Sequence, residues 1–295
     1  MRKMILPGCF VLLWSSGFIA SRSVMPYADP VIFLTLRFIL AGILMGGLAV
    51  AARVKWPHGR MIWHNVVVGF LVQGVYLWGL YTSYKLGLPA AIGALINGLQ
   101  PLLTGILAGV MLNEHVSPKQ IIGLLLGVIG VVIVLFDRIA MPNLTVIMMM
   151  PVSLSLVAIT VGTLYQKRFG DGGDLRSTVC VQYCGCSLIF IPLNLWEQGH
   201  IDWNYAVYFG MFWMVMVMSL MTISLYYYLI RRGSAATVSS LMYLAPPTTA
   251  IQAWLILDEK IGLFSVIGMG VVAIAVALVI QGDRTPPSVP VTAKP

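Results

Sequence analysis

Apolar residues run along this chain in long blocks, and polar residues collect in the short gaps between them. A helix that crosses a bilayer needs roughly 20 apolar residues. On that basis the pattern predicts ten spans: 5–24, 31–52, 63–84, 88–111, 120–136, 144–166, 177–196, 204–230, 234–257 and 262–281. The gaps are too short to hold a soluble domain. The tail 284–295, RTPPSVPVTAKP, is Pro-rich and reads as disordered. The first block has signal-peptide features, with Arg2 and Lys3 ahead of it and Ser15-Ser16-Gly17 inside it. Trp14 and Phe18 continue its apolar stretch, so it reads as a span.

Composition agrees with the pattern. The chain of 295 residues is 59% hydrophobic and 9% charged, with mean hydropathy +0.91. Soluble domains are near a quarter charged. The fold class read here is an all-α polytopic membrane protein of ten transmembrane helices. A net charge of +8 raises the question of nucleic acid, and its distribution argues against that partner. Arg2, Lys3, Arg53, Lys55, Arg60, Lys119, Lys167, Arg168, Arg176, Arg231, Arg232, Arg284 and Lys294 all fall at alternate loops or the termini. The other loops hold Lys85, Arg138 and Lys260, while Arg22 and Arg37 lie in or beside spans. Basic loops stay in the cytoplasm. Both termini are therefore expected there, and the loop with Glu197, His200 and Asp202 outside. A bacterial inner membrane is the expected location.

Two stretches read as copies 145 residues apart. Tyr81 aligns with Tyr226, Ala90-Ala91 with Ala235-Ala236, Pro101 with Pro246, Glu114 with Glu259, and Ile122-Gly123 with Ile267-Gly268. From 81 to 135 no gap is needed, and 15 of the 55 positions are identical. Spans one to five form one half and six to ten the other. Five is odd, so the halves are expected in opposite orientations. The expected organisation is a first inverted repeat at 1–140, a second at 141–283 and a cytoplasmic tail at 284–295. Inverted repeats are a signature of carriers that work by alternating access.

Small residues predict close helix contacts: Gly105 and Gly109 in span four, and Gly123, Gly127 and Gly130 in span five. Pro101 and Pro246 fall mid-span at matching places, where a lost backbone hydrogen bond permits a kink or hinge. Cys9 lies in span one and Cys180, Cys184 and Cys186 in span seven. Cys180 and Cys184 share a helix face, but no His or acid lies near them in sequence. They read as filler between helices, and no metal or other cofactor is expected.

Several motifs together resemble the EamA family of the drug/metabolite transporter superfamily. They are Trp14-Ser15-Ser16-Gly17-Phe18 followed by Pro26 and Pro30; Leu36-Arg37-Phe38-Ile39-Leu40-Ala41; and Pro101-Leu102-Leu103, Asn113-Glu114 and Gln120-Ile121-Ile122-Gly123. The second half repeats part of this as Ala245-Pro246, Asp258-Glu259 and Ile267-Gly268, with Gln182-Tyr183 where the first half has Arg37-Phe38. The resemblance covers about residues 5–281. It implies ten spans in two inverted halves and export of amino acids or other small metabolites. It does not select a cargo.

The candidate substrate-binding residues are Trp14, Phe18, Arg37, Gln73, Trp78, Tyr81, Asn97, Gln100, Tyr243 and Gln252. Arg37 falls about six residues into span two, roughly 9 Å below the outer surface at 1.5 Å per residue. A cation there needs protein or water around it. It reads either as an anchor for a substrate carboxylate or as a tie to neighbouring backbone carbonyls. Asn97 and Gln100 share a face just before Pro101, and Trp14 and Phe18 form an aromatic strip on span one. An apolar pocket with a few fixed polar groups is the usual form of a small-molecule site. Trp63, Trp196, Trp203 and Tyr205 read instead as an interfacial belt. Tyr226, Tyr227 and Tyr228 cannot all face one lumen, because neighbours on a helix point about 100° apart. Glu114 and Glu259 end their helices, where the dipole disfavours an anion, so a structural charge role is read first.

The expected partners are a small-molecule substrate and the bilayer, with the chain a monomer or weak dimer. Export of amino acids or related metabolites is the first functional reading, and export of drug-like organic solutes the second. A polytopic membrane enzyme is the third. It is disfavoured because His58, His64, His115 and His200 are scattered and neither HExxH nor GxSxG occurs. No ring of repeated charges suggests a channel.

Overall fold

The computed structural model describes residues 2–88, 90–112, 117–139, 145–170, 173–232, 241–257 and 263–283. The helices are α1 (Arg2–Val24), α2 (Pro30–Ala51), α3 (Arg60–Lys85), α4 (Ala90–Gly98), α5 (Gln100–Leu112) and α6 (Pro118–Ile139). They continue as α7 (Val146–Phe169), α8 (Leu175–Glu197), α9 (Tyr205–Arg232), α10 (Ala245–Leu257) and α11 (Leu263–Asp283). Among the described residues there is no sheet, only an isolated antiparallel bridge between Ala28 and Ile201.

Six of these helices are long and apolar enough to cross a membrane: residues 5–24, α2, α3, α7, α8 and α9. Shorter apolar stretches lie at Ile92–Ala108, Pro118–Gly130 and Val266–Val279. The outer surface is apolar as well. Leu188, Leu195, Trp196 and Tyr205 are between 72% and 83% exposed. Water would penalise such a surface, whereas lipid tails accept it. The chain is a multi-pass membrane protein.

Helix ends follow local chemistry. Pro30 opens α2 at a position where a missing N–H costs nothing, with Asp29 as its N-cap residue. Asp174 caps α8 by accepting from the Arg176 backbone N–H, and Asn204 caps α9 by accepting from that of Val207. The stretch read from sequence as one fourth span is broken at Leu99, and Pro101 lies in the first turn of the helix that restarts there. Pro246 likewise lies in the first turn of α10, which follows a 3-10 turn over Leu241–Leu244. Each proline therefore starts a helix after an interruption rather than bending a continuous one. Proline tolerates the first turn because no i−4 carbonyl awaits its missing N–H.

Two interruptions have no signal in the hydrophobic pattern. Phe70–Val75 in α3 and Trp213–Thr222 in α9 are π-helical. With the offset of 145 residues, the first maps inside the second. Such insertions recur at functional sites because they redirect side chains and free carbonyls. The Ser155 hydroxyl donates to the Tyr76 carbonyl at 2.8 Å, just past the first insertion, and the Thr222 hydroxyl donates to the Val217 carbonyl at 2.9 Å in the second.

Packing pairs α2 with α8 and α6 with α11 most extensively. Helix α1 lies against α9 and α10, and α7 lies against α3 and α5. Exchanging residues 2–139 with 146–283 leaves this set of pairings unchanged. Apolar helices gain no hydrophobic driving force from one another in lipid, so close fit must hold them. A Cβ on Gly123 would meet Val279 and the Ala275 backbone of α11, and one on Gly79 would run into the Pro151 carbonyl of α7. The spacing that marked Gly123 and Gly127 serves two neighbours: Gly123 faces α11 and Gly127 faces the Tyr243 ring. Glu114, Glu259 and the tail 284–295 lie outside the described residues.

Candidate functional site

Beside the two π-helical segments, α1, α2, α3 and α9 enclose a cavity of about 30 Å³. Trp14, Phe18, Arg37, Gln73 and Tyr81 line it, with Tyr76, Met214 and Met218 among the other walls. A volume of that size holds a water or two. The walls are mainly aromatic, aliphatic and thioether groups, and Arg37 is the one charged residue among them. A smaller cavity of about 10 Å³ shares Trp14, Phe18 and Tyr76 as walls and is lined also by Asn97, Gln100 and Ala245. The two chambers thus adjoin, the first with Arg37 in its wall and the second with Asn97 and Gln100.

Arg37 is 3% exposed. Its Nε donates to the Ser219 hydroxyl at 2.9 Å, and Nη1 donates to the Tyr81 hydroxyl at 2.7 Å and to the Met214 sulfur at 3.6 Å. These partners are neutral side chains on α9 and α3, not the backbone carbonyls weighed from sequence. Among the described residues, no carboxylate pairs with Arg37 and no hydrogen bond runs from Nη2. A buried guanidinium has five N–H donors to place, and leaving its charge uncompensated costs several kcal/mol. The residue is held by geometry that leaves its charge available.

The second chamber rests on a hydroxyl–amide chain. Gln100 Nε2 donates to the Thr163 hydroxyl at 3.2 Å and to the Tyr226 hydroxyl at 3.4 Å, and those two hydroxyls lie 2.5 Å apart. Asn97 Nδ2 returns to the Gly93 carbonyl at 2.9 Å, while its Oδ1 is buried without a partner. Gln73 Nε2 is likewise buried and unpaired. Unpaired buried polar atoms are costly and call for an explanation at each place. Phe10, Trp14, Tyr76 and Tyr226 stack into one aromatic cluster with ring centroids 5.3–6.1 Å apart.

Three of the residues chosen from sequence lie elsewhere. Trp78 borders a separate surface pocket with Asp29, Lys85 and Glu197. Tyr243 packs between α6 and α11 against Leu124 and Val272, its hydroxyl donating to the Leu124 carbonyl at 2.8 Å. Gln252 donates to the Leu12 carbonyl at 3.0 Å and joins α10 to α1. Conversely, Met214, Met218, Ser219 and Thr163 belong to the two chambers or their supports and carried no sequence signal. Of the tyrosine run, Tyr226 and Tyr227 are fully buried, while Arg232 lies 4.7 Å over the Tyr228 ring.

At one end of the bundle the turn before α2 is fastened to the loop before α9. Asp29 N donates to the His200 carbonyl at 2.9 Å, His200 N to Asp29 Oδ2 at 2.8 Å, and Asp202 N to the Tyr27 carbonyl at 2.8 Å. Lys85 pairs with Asp29 at 3.2 Å. The His200 backbone N–H, and then the Lys85 ammonium, hold the Asp29 carboxyl below its ordinary value. On α8, the Cys180 and Cys184 sulfurs lie 3.9 Å apart. Among the described residues, no three metal-binding side chains cluster.

The model of the EamA-like transporter family matches this chain twice, at residues 3–136 and 146–281. The chain belongs to that family. The two matches are separated by residues 137–145. An uncharacterized transporter of Bacillus subtilis, YvbV, is 23% identical over 280 residues, covering 94% of this chain and 91% of that protein. A probable amino-acid metabolite efflux pump of Salmonella typhimurium is 25% identical over 125 residues, 42% of this chain and 40% of that protein. A protein of known crystal structure superposes with a TM-score of 0.78 at 16% identity, covering 95% of this chain and 96% of the other. That likeness concerns the fold.

Proposed function

We propose that this family member is a secondary carrier of the bacterial inner membrane that exports small carboxylated metabolites, amino acids or their relatives, by alternating access. The observation that carries the reading is Arg37, a buried guanidinium on a cavity wall with no carboxylate paired to it among the described residues. A charge held in that way suits an anionic solute that arrives and leaves. The Salmonella relative's name, an amino-acid metabolite efflux pump, is consistent with that cargo. Export of drug-like organic solutes is the second reading. The aromatic wall of Trp14, Phe18 and Tyr76 favours it, and the unanswered charge of Arg37 disfavours it.

The mechanism follows from repetition. Ten spans in two inverted halves are supported by the double family match, by the pairings that survive exchange of the halves, and by interruptions at equivalent places in α3 and α9. Two near-equivalent conformations of inverted halves open the same site to opposite sides. The basic loops put both termini in the cytoplasm and the Asp29–His200 fastening outside. The cavity must widen to accept a metabolite. Met214 and Met218, flexible side chains on an interrupted helix, are suited to yield.

A metabolite-export screen comparing cells with and without the protein names candidates, and counterflow into proteoliposomes tests them. Saturable uptake stimulated by internal solute is expected. Linear, unsaturable flux would contradict a carrier. Cysteines placed at Lys55 and His200 on a Cys-free background test orientation. An impermeant reagent is expected to label only the second in intact cells.

A further inference from the structure

We infer that the Arg37 chamber selects monoanionic carboxylates, solutes with one carboxylate and no ammonium, over zwitterionic amino acids. The inference rests on the carrier reading and narrows its cargo.

The chamber's charge is one-sided. Arg37 is the only charged residue lining it, and it brings a guanidinium whose Nη2 makes no hydrogen bond among the described residues. Gln73, 2% exposed, is an uncharged wall, and its Nε2 is enclosed by protein rather than open to the space. The Ser21 hydroxyl already donates to the Gly17 carbonyl at 2.7 Å. The Tyr81 hydroxyl accepts from Arg37 and donates to the Met214 sulfur at 3.3 Å. The Arg37 donors therefore face a space that no acid lines among the described residues. A carboxylate supplies what they lack: a negative charge and several lone pairs, which a guanidinium matches with parallel N–H bonds.

An α-ammonium meets the opposite condition. It needs acceptors or an anion when taken out of water, and it would sit beside a like charge. Among the described residues, no Asp or Glu lines either chamber. Ring faces attract cations, but the Arg37 guanidinium in the same small space repels them. An uncharged apolar body fits the rest of the lining, which is Trp14, Phe18, Leu77, Leu80 and the two methionines.

The test uses three probes sharing one phenylethyl body: 3-phenylpropionate, L-phenylalanine and phenethylamine. Each is titrated at pH 7.5 against the full-length purified protein, reading the shift in melting temperature and the quenching of tryptophan fluorescence. Binding of 3-phenylpropionate is expected at least 10-fold tighter than that of phenylalanine, with none for phenethylamine. Arg37→Gln is expected to abolish the preference. Equal or tighter binding of phenylalanine overturns the inference. So does a preference that survives in Arg37→Gln, or absence of binding by all three probes. Saturable counterflow of a zwitterion alone sinks this selectivity and leaves the carrier standing. Absence of saturable counterflow with every solute from the export screen sinks the carrier reading itself.

Discussion

Arg37 and Gln182 occupy equivalent places, 145 residues apart, and their surroundings differ as much as their charges. Arg37 borders a cavity and bonds to hydroxyls and a thioether on α3 and α9. Gln182 is fully buried against α3 and α7. Its Nε2 meets Gln166 Oε1 at 3.4 Å, and a side chain on Gly69 would collide with its backbone. The next residues on each helix, Phe38 and Tyr183, stack on each other with centroids 6.0 Å apart. The frame around the pair is thus repeated while one member has been given over to packing and the other to charge. Duplication supplies two matching frames; function then asks for one cation, not two.

The most severe break of that comparison is Gln182→Arg. It forces a second guanidinium into a place closed by Gly69 and offers it one amide oxygen. Burying an uncompensated charge costs about 3–5 kcal/mol, enough to unfold a marginal membrane protein. Poor recovery and a melting temperature lowered by many degrees are expected. A variant as stable as the parent would show that the second half keeps hidden room for a charge.

Arg37→Gln makes the halves alike and should do the reverse. The glutamine amide can still bond to the Tyr81 or Ser219 hydroxyl, so the melting temperature is expected to change little. Transport of carboxylated solutes is expected to fall roughly 100-fold, the scale of losing a charge-assisted contact. A large loss of stability together with loss of all transport alike would return Arg37 to a structural role.

Tyr81 and Tyr226, also 145 apart, sharpen the contrast. The first steadies Arg37; the second bonds Thr163 and accepts from Gln100. Tyr81→Phe is expected to weaken carboxylate binding several-fold with little change in melting temperature. Tyr226→Phe removes a buried network member and should cost about 1 kcal/mol of stability without altering charge preference. Equilibrium binding and thermal melts of both variants decide the matter.

Much of the frame was legible because membrane insertion demands long apolar runs, and the repeat is gap-free where it is clearest. The helix ends found for α2, α3, α8 and α9 lie within three residues of the apolar blocks read from sequence. The break at Leu99 was less legible. Pro101 announces that the helix cannot run through unchanged, but not that it restarts at Gln100. The π-helical segments could not be read at all, since one inserted residue leaves hydropathy untouched. In the site, Arg37 stands out in any apolar run, and Trp14 and Phe18, four apart, mark one face of the first span. Tyr243 and Gln252 show the limit. Both are polar residues in an apolar stretch, yet each donates to a neighbouring helix backbone, Tyr243 to Leu124 and Gln252 to Leu12. Sequence shows that a polar group needs a partner; only packing shows whether the protein already supplies one.

The smallest expected effect concerns the ends of the bundle. Asp29 and Asp174 share the 145-residue offset and both precede a helix, but Asp29 joins three elements and Asp174 mainly itself. Asp29 bonds the His200 backbone and pairs with Lys85, whereas Asp174 pairs at 2.8 Å with Arg176, two residues on. Both carboxyls are held below the ordinary value of 3.8: Asp29 by the His200 backbone N–H and then Lys85, Asp174 chiefly by the Arg176 side chain. A carboxyl with a lowered folded-state pKa contributes stability that is complete above its unfolded value. That contribution is lost as pH falls through the folded value. The Lys85–Asp29 side chains are 38% and 36% exposed, so solvent screens the pair and limits it to a few tenths of a kcal/mol. Global melting should therefore hardly move. Local opening should respond, because the Asp29 fastening links the turn before α2 to the loop before α9. Hydrogen-exchange protection at Tyr27, corrected for the intrinsic rate at each pH, is expected to fall as pH drops below about 3.8, and a cysteine at Tyr27 should be labelled faster in Asp29→Asn already at pH 7. Lys85→Gln should give an intermediate rate, since the His200 backbone bonds remain. Asp174→Asn should leave the Tyr27 rate unchanged. Equal acceleration by Asp29→Asn and Asp174→Asn would show that the two ends open together rather than separately, which an alternating carrier cannot allow.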